Sequence, residues 1–394
     1  MQQHRIIVLG AGYTGAIVAG RLAKQLHRED VAITLVNPEP DFVERVRLHQ
    51  LAVGQELPHR PFSEMFAGTG VELKLATVTA VDAERRTVAV TAADGAEELA
   101  YDTLVYALGS GWNPQGVPGT AEHAHEISSR PGALRLRDRL AALEAGQSVV
   151  VVGGGLTGLE AATEIAEARP DLDVALAARG GLGDWLSDKG RQHVRKVFDG
   201  LGITAHEHTS VTGVEADRVL TSDGAVPAAV TIWTTGFAVH PIAAATTLDV
   251  TETGQIVVDG TMRSVSHPDV YAVGDAAQAM GAGDKPLRMS CASGTPMAWQ
   301  AADAIAARLT GTKLPKAHLR YFNQCISLGR KEGLIQYVTA DDRAVRAALT
   351  GRLAARYKEL ICKGAAWGVA NPKLGLPTRP RRTLPQAVPV PTAA

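Results

Sequence analysis

Two stretches of the chain place apolar runs and glycine turns in the same order. The first, "RIIVLG", "AGYTGAIVAGRLAKQL" and "VAITLVN", reads as strand, glycine turn, helix and strand between Arg5 and Asn37. The second, "SVVVVGGG", "LTGLEAATEIAEA" and "DVALAAR", repeats this order between Ser148 and Arg179. Apolar residues run continuously through these strands, which is typical of a parallel sheet covered on both faces. The pattern therefore predicts two βαβ units.

The repeat extends beyond these units. Each is followed by short strands and then by an apolar strand that ends near a glycine, "DTLVYALGS" in the first half and "AAVTIWTTGF" in the second. The internal repeat therefore spans a whole domain. Between the halves, "GWNPQGVPG" reads as a domain crossing because proline and glycine interrupt regular structure. Further on, "VYAVGDAA" predicts a strand with a Gly-Asp turn, and a helix is predicted from about Pro296 to Leu309.

Composition narrows the class of protein. The 394 residues are 45% hydrophobic and 21% charged, with a net charge of −1, which is typical of a globular chain. Cys291, Cys325 and Cys362 lie far apart and form no CxxC, which argues against a disulfide framework, a zinc site or a redox-active CxxC pair. We predict no metal. The N-terminus does not resemble a signal peptide and no apolar run approaches a membrane span, so a cytoplasmic location is expected.

The first glycine turn has the spacing of a dinucleotide-binding site. Gly10, Gly12 and Gly15 form GxGxxG directly after a strand and at the start of a helix. The first glycine allows the tight turn, the second lets the backbone approach a pyrophosphate, and the third lets the helix pack on the strand. An acid usually ends the second strand and binds the ribose; here Asn37 stands there, and its amide can also bond the hydroxyls. A helix–strand turn without a ligand is the alternative interpretation.

The second glycine turn, Gly153, Gly155 and Gly158, repeats this spacing. At the end of the strand that follows, Ala178 replaces the acid and Arg179 is adjacent. Without the acid a 2′-phosphate is not repelled, and an arginine can pair with it, so NADH and NADPH both remain compatible with the turn. A solvent-facing Arg179 is the alternative.

Two acids have both a structural and a functional interpretation. Glu160 falls in the first turn of the second predicted helix, where the helix dipole favours an acid, and it is also placed to contact a bound nicotinamide. Asp275 follows a buried strand and a glycine, where an acid can cap a helix or bind a ligand at the carboxyl end of the sheet.

Taken in order, "GAGYTG", "LVYALGS", "GGGLTG", "TIWTTGF" and "VYAVGDA" resemble the flavoproteins that have two dinucleotide-binding domains. The ordered set covers residues 5–310 and is far more specific than any one motif. The resemblance implies an α/β fold with two Rossmann-like dinucleotide-binding domains. Its parts are a discontinuous FAD domain (1–115 and 240–310), an inserted NAD(P)H domain (116–239), a small C-terminal region (311–370) and a disordered tail (371–394).

The resemblance also implies which residues contact the cofactors. FAD would be held by the first glycine turn and the Gly-Asp motif, where Asp275 would bond the ribityl chain or a phosphate, and NADH or NADPH would be held by the second turn. The candidate cofactor-binding residues are Gly10, Gly12, Tyr13, Thr14, Gly15, Asn37, Arg45, Val78, Gly109, Gly274, Asp275, Gly153, Gly155, Thr157, Gly158, Glu160, Arg179 and Gly236.

Two segments, "DFVERVRLHQLAVG" and "GTPMAWQAADAIAARL", resemble the type II NADH dehydrogenase branch of this family. In that branch a quinone approaches the flavin near the segment that matches "ASGTPMAWQ", which makes Cys291 and Gln300 candidate acceptor-site residues. A C-terminal region of that branch attaches to the membrane surface. Here a basic amphipathic helix is predicted from Arg343 to Lys363, so residues 343–367 are a candidate for peripheral contact with the inner face of the membrane. Packing of its apolar stripe on its own domain is the alternative.

We therefore expect an FAD-dependent oxidoreductase that takes a hydride from NAD(P)H and passes electrons to a quinone or another small acceptor, with no side chain required for the hydride step. Other functions remain open. They are a biosynthetic flavoenzyme acting on a small aromatic or quinonoid metabolite, a ferredoxin-type reductase and, in another class, a flavin-bound sensor that responds to NAD(P)H. A homodimer is compatible with the sequence, and no nucleic-acid partner is expected.

Overall fold

The computed structural model describes residues 3–316, 319–372 and 379–385. A seven-stranded sheet that is mostly parallel, a five-stranded parallel sheet and two three-stranded antiparallel sheets contain most of the strands. The strands are β1 (His4–Leu9), β2 (Val31–Asn37), β3 (Val71–Asp82), β4 (Thr87–Ala92), β5 (Gly95–Ala100), β6 (Thr103–Tyr106), β7 (Ser110–Trp112), β8 (Ala124–His125), β9 (Ser148–Val152), β10 (Asp173–Ala177), β11 (Thr204–His206), β12 (Val211–Val214), β13 (Arg218–Thr221), β14 (Gly224–Pro227), β15 (Val230–Trp233), β16 (Phe237–Val239), β17 (Ile256–Val257), β18 (Val270–Ala272), β19 (Ala277–Gln278), β20 (Asn323–Leu328), β21 (Glu332–Val338) and β22 (Ala344–Thr350). The α-helices are α1 (Tyr13–Gln25), α2 (Leu48–Leu51), α3 (Phe62–Met65), α4 (Thr120–His123), α5 (Arg130–Ala141), α6 (Leu156–Ala168), α7 (Asp188–Leu201), α8 (Cys291–Thr310) and α9 (Arg352–Ala370).

The first sheet has the strand order β18-β6-β1-β2-β3-β4-β5. The strands from β18 to β3 are parallel, and β4 and β5 continue the sheet with antiparallel pairing. Ile6, Val8 and Leu9 of β1 are completely buried, as expected for a central parallel strand covered on both faces. The first predicted βαβ unit is confirmed.

The second sheet has the order β11-β10-β9-β15-β8, and all of its pairs are parallel. The chain leaves the first sheet after β6 and returns to it at β18, so the whole second sheet is inserted between them. The two crossings pair with each other as the antiparallel strands β7 and β16. The predicted α/β class with two Rossmann-like units is confirmed, whereas the exact residue limits of the domains stay a prediction.

Helix α8 begins earlier than the predicted start at Pro296. It starts at Cys291, directly after Ser290, whose side chain caps it by accepting a hydrogen bond from the backbone N–H of Ser293. Proline is favoured in the first turn of helices, which is why it suggested a helix start. Here Pro296 lies one turn further in, and the true first turn faces the Gly-Asp segment.

The prediction of one helix over Arg343–Lys363 is wrong. Strand β22 pairs antiparallel with β21, and α9 begins only at Arg352. Gly351 separates the two elements with a φ of +80°, a conformation that favours glycine. Val345 and Leu349 of the predicted apolar stripe therefore lie on the strand. A spacing of four residues fits one face of a strand as well as one face of a helix, so periodicity did not distinguish them.

Residues 379–385 lie beside the ends of α1 and α8. The backbone of Arg381 forms hydrogen bonds of 2.8 and 2.9 Å with the backbone at the end of α1. Arg382 forms ion pairs of 2.8 Å with Glu29 and 3.0 Å with Asp30. This part of the predicted disordered tail thus has defined contacts, and residues 373–378 and 386–394 of that prediction lie outside the described residues.

Candidate cofactor and acceptor sites

The first glycine turn is tightly packed on two sides and open on a third. A Cβ at Gly10, where φ is +90°, would lie 2.5 Å from the carbonyl oxygen of Ala107, and a Cβ at Gly15 would lie 1.8 Å from that of Gly10. A Cβ at Gly12 would meet no atom within 4 Å. Gly12 also starts α1 without a side-chain cap, so the first N–H groups of the helix are available to an anion.

The second glycine turn has the same geometry. A Cβ at Gly153, where φ is +125°, would lie 2.6 Å from Thr234 Oγ1, and a Cβ at Gly158 would lie 1.8 Å from the carbonyl oxygen of Gly153. Gly155 faces open space and starts α6 without a side-chain cap. Thr157 lies half-buried in the first turn of that helix. Both turns therefore have an open side bordered by free backbone donors, which suits a pyrophosphate.

Three distant segments meet at Thr14 in the first turn. Gly274 of the Gly-Asp motif has a φ of +72°, and a Cβ there would lie 2.9 Å from Thr14 Oγ1. A Cβ at Gly294, in the first turn of α8, would lie 2.9 Å from Thr14 Cγ2. The start of α1, the Gly-Asp turn and the start of α8 thus border one site, as the candidate residues required.

Asp275 belongs to a polar cluster beside this site. Ser110 Oγ donates to Asp275 Oδ2 at 2.6 Å, and Arg45 Nη2 donates to Ser110 Oγ at 3.2 Å. Arg45 Nη1 also lies 3.6 Å from Asp275 Oδ2 and 4.0 Å from the position of a Cβ at Gly109. The guanidinium of Arg45 lies 5.2 Å from the ring centre of Phe237, the residue that follows Gly236. Four predicted positions, Asp275, Arg45, Gly109 and Gly236, therefore converge together with Ser110, which the sequence did not single out although it directly follows Gly109.

Asn37 and Val78 lie in the same sheet as the first turn. Asn37 Oδ1 accepts a hydrogen bond of 3.0 Å from the backbone N–H of Ala11, and its Nδ2 donates to the carbonyl of Glu39 at 2.8 Å. The amide thus holds the glycine turn against the end of β2. Val78 is buried in β3, opposite Val90 of β4.

The structure does not bring Gln300 to the acceptor side. Its side chain is buried, and its amide donates to the carbonyl oxygens of Gly260 and Pro315 at 3.0 and 3.3 Å. The residue before it, Trp299, is 49% exposed and lies two helical turns after the exposed Cys291. Trp299 therefore shares the accessible face of α8 with Cys291, whereas the candidate that the resemblance implied, Gln300, is its buried neighbour.

A buried ion pair joins the second unit to the C-terminal region. Lys358 Nζ of α9 lies 3.0 Å from Glu160 Oε1 of α6. The same oxygen accepts hydrogen bonds from the backbone N–H of Ser327 at 3.0 Å and from its Oγ at 3.2 Å. Lys358 also donates to the carbonyl of Cys325 at 3.0 Å. Glu160 is the fifth residue of α6 rather than part of its first turn, so the helix dipole does not explain it.

The protonation states in this cluster follow from burial and pairing. Burial would raise the pKa of Glu160, but Lys358, His49 and the hydrogen bonds from Ser327 together lower it. Burial would lower the pKa of Lys358, but Glu160 together with the nearby Cys362 and Cys325 raises it above its usual value. Burial lowers the pKa of His49 to about 4, so this imidazole is neutral at pH 7. The pair therefore holds a fixed positive charge on Lys358.

All three cysteines are free thiols. Burial raises the pKa of Cys291 and of Cys325 to about 11, and it also raises the pKa of Cys362. Cys291 is exposed on one side but closely surrounded on the others, which accounts for its raised pKa. Protonated thiols are poor nucleophiles, so the structure does not favour thiol-based chemistry at neutral pH.

Comparison with known proteins gives this geometry a family. The family model described as pyridine nucleotide-disulphide oxidoreductase matches residues 4–306. The chain belongs to this family. In the part of the chain that the structure describes, no helix has the length and hydropathy needed to cross a membrane, and no group of three or more His, Cys, Asp or Glu could hold a metal ion.

Individual relatives of this oxidoreductase cover most of its length. The chain is 25% identical over 332 residues to the NADH dehydrogenase-like protein YutJ of Bacillus subtilis, covering 84% of this chain and 91% of the relative. It is 26% identical over 371 residues to the demethylphylloquinone reductase NdbB of Synechocystis, covering 90% and 92%. The sulfide:quinone oxidoreductase of Aquifex aeolicus has a similar fold, with a TM-score of 0.78, 18% identity and coverage of 99% and 100%.

The site fits the cofactors of this family of oxidoreductases. Besides the open sides at Gly12 and Gly155, each turn has a buried hydroxyl without a hydrogen-bond partner among the described residues, Tyr13 Oη at the first and Thr235 Oγ1 at the second. A bound cofactor would give these hydroxyls the partner that buried polar groups normally have. The predictions of FAD and of a nicotinamide dinucleotide are confirmed.

Alanine substitutions at two glycines of the first turn should separate binding from folding. In Gly12→Ala the methyl group has space and a permitted φ of −66°, so the protein should fold normally but lose FAD because the open side is occupied. In Gly15→Ala the methyl group would collide with the backbone, which should cost about 1–3 kcal/mol or more of stability. Flavin absorbance after gel filtration and urea unfolding measure the two effects. Wild-type flavin content in Gly12→Ala would contradict this interpretation.

Glu164 should make the stability of this oxidoreductase fall between about pH 4.5 and 7. Burial raises its pKa from 4.5 to about 7, and its Oε2 has no partner among the described residues. The pKa of Glu164 is higher in the folded protein than in the unfolded chain. Its contribution to the free energy of unfolding is therefore fully present below pH 4.5 and is lost as the pH rises through 7, because the buried side chain then carries a charge.

Glu164→Gln keeps the shape and removes the charge. We expect the substitution to leave the free energy of unfolding unchanged at pH 5 and to raise it by about 1–3 kcal/mol at pH 8. Urea denaturation at both pH values measures this. Glu122→Gln, at an exposed glutamate, is the control and should leave the free energy of unfolding unchanged at both pH values. Equal effects of Glu164→Gln at the two pH values would contradict the assignment.

Proposed function

We propose that this flavoprotein oxidises NAD(P)H and reduces a quinone. The observation that carries the proposal is an asymmetry between two glycine turns of equal geometry. The first is enclosed by the Gly-Asp turn and the start of α8 at Thr14, whereas the close neighbours of the second are Thr234, Thr235 and Ala178. A turn enclosed on several sides suits a resident cofactor, and a more open one suits a nucleotide that enters and leaves. Bound FAD supplies the hydride and electron chemistry.

The charge of Lys358 supports a quinone as the acceptor. A quinone gains negative charge as it is reduced, and a cation fixed in a buried position stabilises such charge. Lys358 is held in place by Glu160 and by the carbonyl of Cys325, so it does not have to reorganise. Lys358 is close enough to Cys291 to act on the pKa of its thiol, and the exposed Trp299 of the same helix as Cys291 offers an aromatic surface for a planar ring. One relative, NdbB, is a demethylphylloquinone reductase by name.

Helix α9 supports contact with a membrane surface. Its buried residues are Ala354, Cys362, Ala366 and Val369, whereas its large apolar side chains are exposed. The exposed set is Leu353, Tyr357, Leu360, Ile361 and Trp367, between 38% and 67% exposed. Arg352, Arg356 and Lys363 are exposed among them. Apolar and basic side chains together fit an anionic lipid interface. We therefore propose that the protein binds peripherally to the inner face of the membrane; a homodimer through the same face is the competing occupant.

The catalytic proposal is tested by an anaerobic titration with NADH and NADPH followed by mixing with a soluble quinone. We expect rapid bleaching of the flavin and rapid reoxidation. Gly155→Ala should keep the flavin but lose most of its reduction, because the added methyl group occupies the open side of the second turn only. Slow bleaching accompanied by a change in oligomeric state would favour the sensor, and bleaching by neither nucleotide would exclude the hydride mechanism.

The membrane proposal is tested by co-sedimentation with vesicles that contain anionic lipid. Leu360→Asp places a charge in the exposed face of α9 and should reduce binding at least about tenfold. Leu75→Asp, at another exposed leucine on β3, is the matched control and should bind as the wild type does. If the wild type does not co-sediment with vesicles and Leu360→Asp converts a dimer into a monomer, the exposed face of α9 is a subunit interface instead.

A further inference from the structure

The two βαβ units differ where the second strand ends beside the glycine turn. The positions correspond through the backbone, because Gly10 N–H donates to Val36 O at 2.8 Å and Gly153 N–H donates to Ala177 O at 2.9 Å. The next residues along the second strands are therefore equivalent, Asn37 in the first unit and Ala178 in the second.

This difference leaves one backbone donor free in the second unit. In the first unit the side chain of Asn37 accepts a hydrogen bond from the N–H of Ala11. In the second unit Gly154 takes the place of Ala11, and a Cβ at Gly154 would lie 2.8 Å from the Cβ of Ala178. Ala178 has no polar atom, and among the described residues nothing accepts a hydrogen bond from the N–H of Gly154.

Arg179 adds a second free donor at the same strand end. It is exposed, and in the described part of the chain it has no ion pair and no side-chain hydrogen bond. The nearby acids are both engaged elsewhere. Asp184 accepts from the N–H of Gly181 at 2.5 Å and lies 4.0 Å from Arg191.

Glu207 is the other nearby acid. It accepts from the N–H of Leu182 and pairs with Arg195 at 2.6 Å. The strand end of the second unit thus has two free donors, one of them cationic, and none of the described acids near it is free to accept.

A site with donors and no acceptor suits an anion better than a hydroxyl. The adenosine ribose of NADH presents hydroxyl groups, which are usually held by a carboxylate at this strand end. NADPH presents a 2′-phosphate, which accepts hydrogen bonds and pairs with arginine. We propose that Arg179, together with the N–H of Gly154, binds the 2′-phosphate and makes NADPH the preferred hydride donor. This inference rests on the proposed function only in assigning a nicotinamide dinucleotide to the second turn.

Direct binding to the FAD-loaded protein tests the proposal without relying on turnover. Isothermal titration with NADP⁺ and NAD⁺, and with 2′,5′-ADP and 5′-AMP, gives the contribution of the 2′-phosphate. We expect Arg179→Ala to weaken NADP⁺ and 2′,5′-ADP about 10- to 100-fold while NAD⁺ and 5′-AMP change less than about twofold. The affinity for NADP⁺ should also fall more steeply with added salt than that for NAD⁺.

Matched variants distinguish a specific contact from a general charge effect. Arg137→Ala removes an exposed arginine of the same domain that pairs only with its neighbour Asp138, and it should change neither affinity. Arg179→Lys should restore part of the preference. Ala178→Asp should reverse it, because a carboxylate repels the phosphate and accepts from the ribose.

The outcomes separate this inference from the function on which it rests. If the wild type binds NAD⁺ at least as tightly as NADP⁺ and Arg179→Ala alters neither, the inference is wrong, while NADH-dependent bleaching of the flavin would leave the proposed function standing. If neither nucleotide binds, both are wrong. A weaker NADP⁺ affinity in Arg137→Ala of the same size as in Arg179→Ala would also overturn the specific contact.

Discussion

The arrangement of both βαβ units depends on the contact between the third glycine of each turn and the carbonyl of the first. A Cβ at Gly15 or at Gly158 would lie 1.8 Å from a backbone oxygen, so neither helix could approach its strand with any other residue there. This contact places the start of α1 and of α6 at the carboxyl ends of β1 and β9. It thereby aims free N–H groups at the same place in both units. The sites for two nucleotides thus follow from a packing requirement that only glycine meets.

What surrounds the turns then differs, and this difference carries the division of roles. Around the first, the Gly-Asp turn and α8 approach so closely that Gly274 and Gly294 also have no space for a side chain. Around the second, the buried pair of Glu160 and Lys358 connects α6 to the C-terminal region. Such a pair loses hydration on burial, and removing one partner typically costs about 3–5 kcal/mol, because the other charge remains buried. The pair therefore fixes how α9 is placed on the second unit rather than adding much net stability.

Local patterns in the sequence were sufficient for the two βαβ units and their glycine turns. Continuous apolar strands and GxGxxG spacing are properties of neighbouring residues and predicted the two units directly, whereas the inserted arrangement was implied by the resemblance of the ordered motifs to the two-domain flavoproteins. Local patterns did not predict the contacts between residues that are far apart in the sequence. Nothing near Glu160 in the sequence indicates Lys358 as its partner, and Ser110 gains its role only when Asp275 and Arg45 fold against it. On α8 the prediction selected Gln300, which is adjacent to the exposed Trp299. The side chain of Gln300 is buried, and its amide donates to two backbone carbonyls.

The same reasoning explains the error at the C-terminus and what it revealed. Four-residue spacing merged β22 and α9 into one helix, although the apolar residues on each serve different surfaces. On α9 the buried face consists of small residues such as Ala354 and Ala366, because β21 and α1 leave little room there. Lys358 points inward from the same helix to Glu160. The large apolar side chains of α9, which would normally fill a core, lie on its exposed face. A helix that is fixed inside by a charge pair and apolar outside can anchor the acceptor side of the enzyme at an interface without being part of its core.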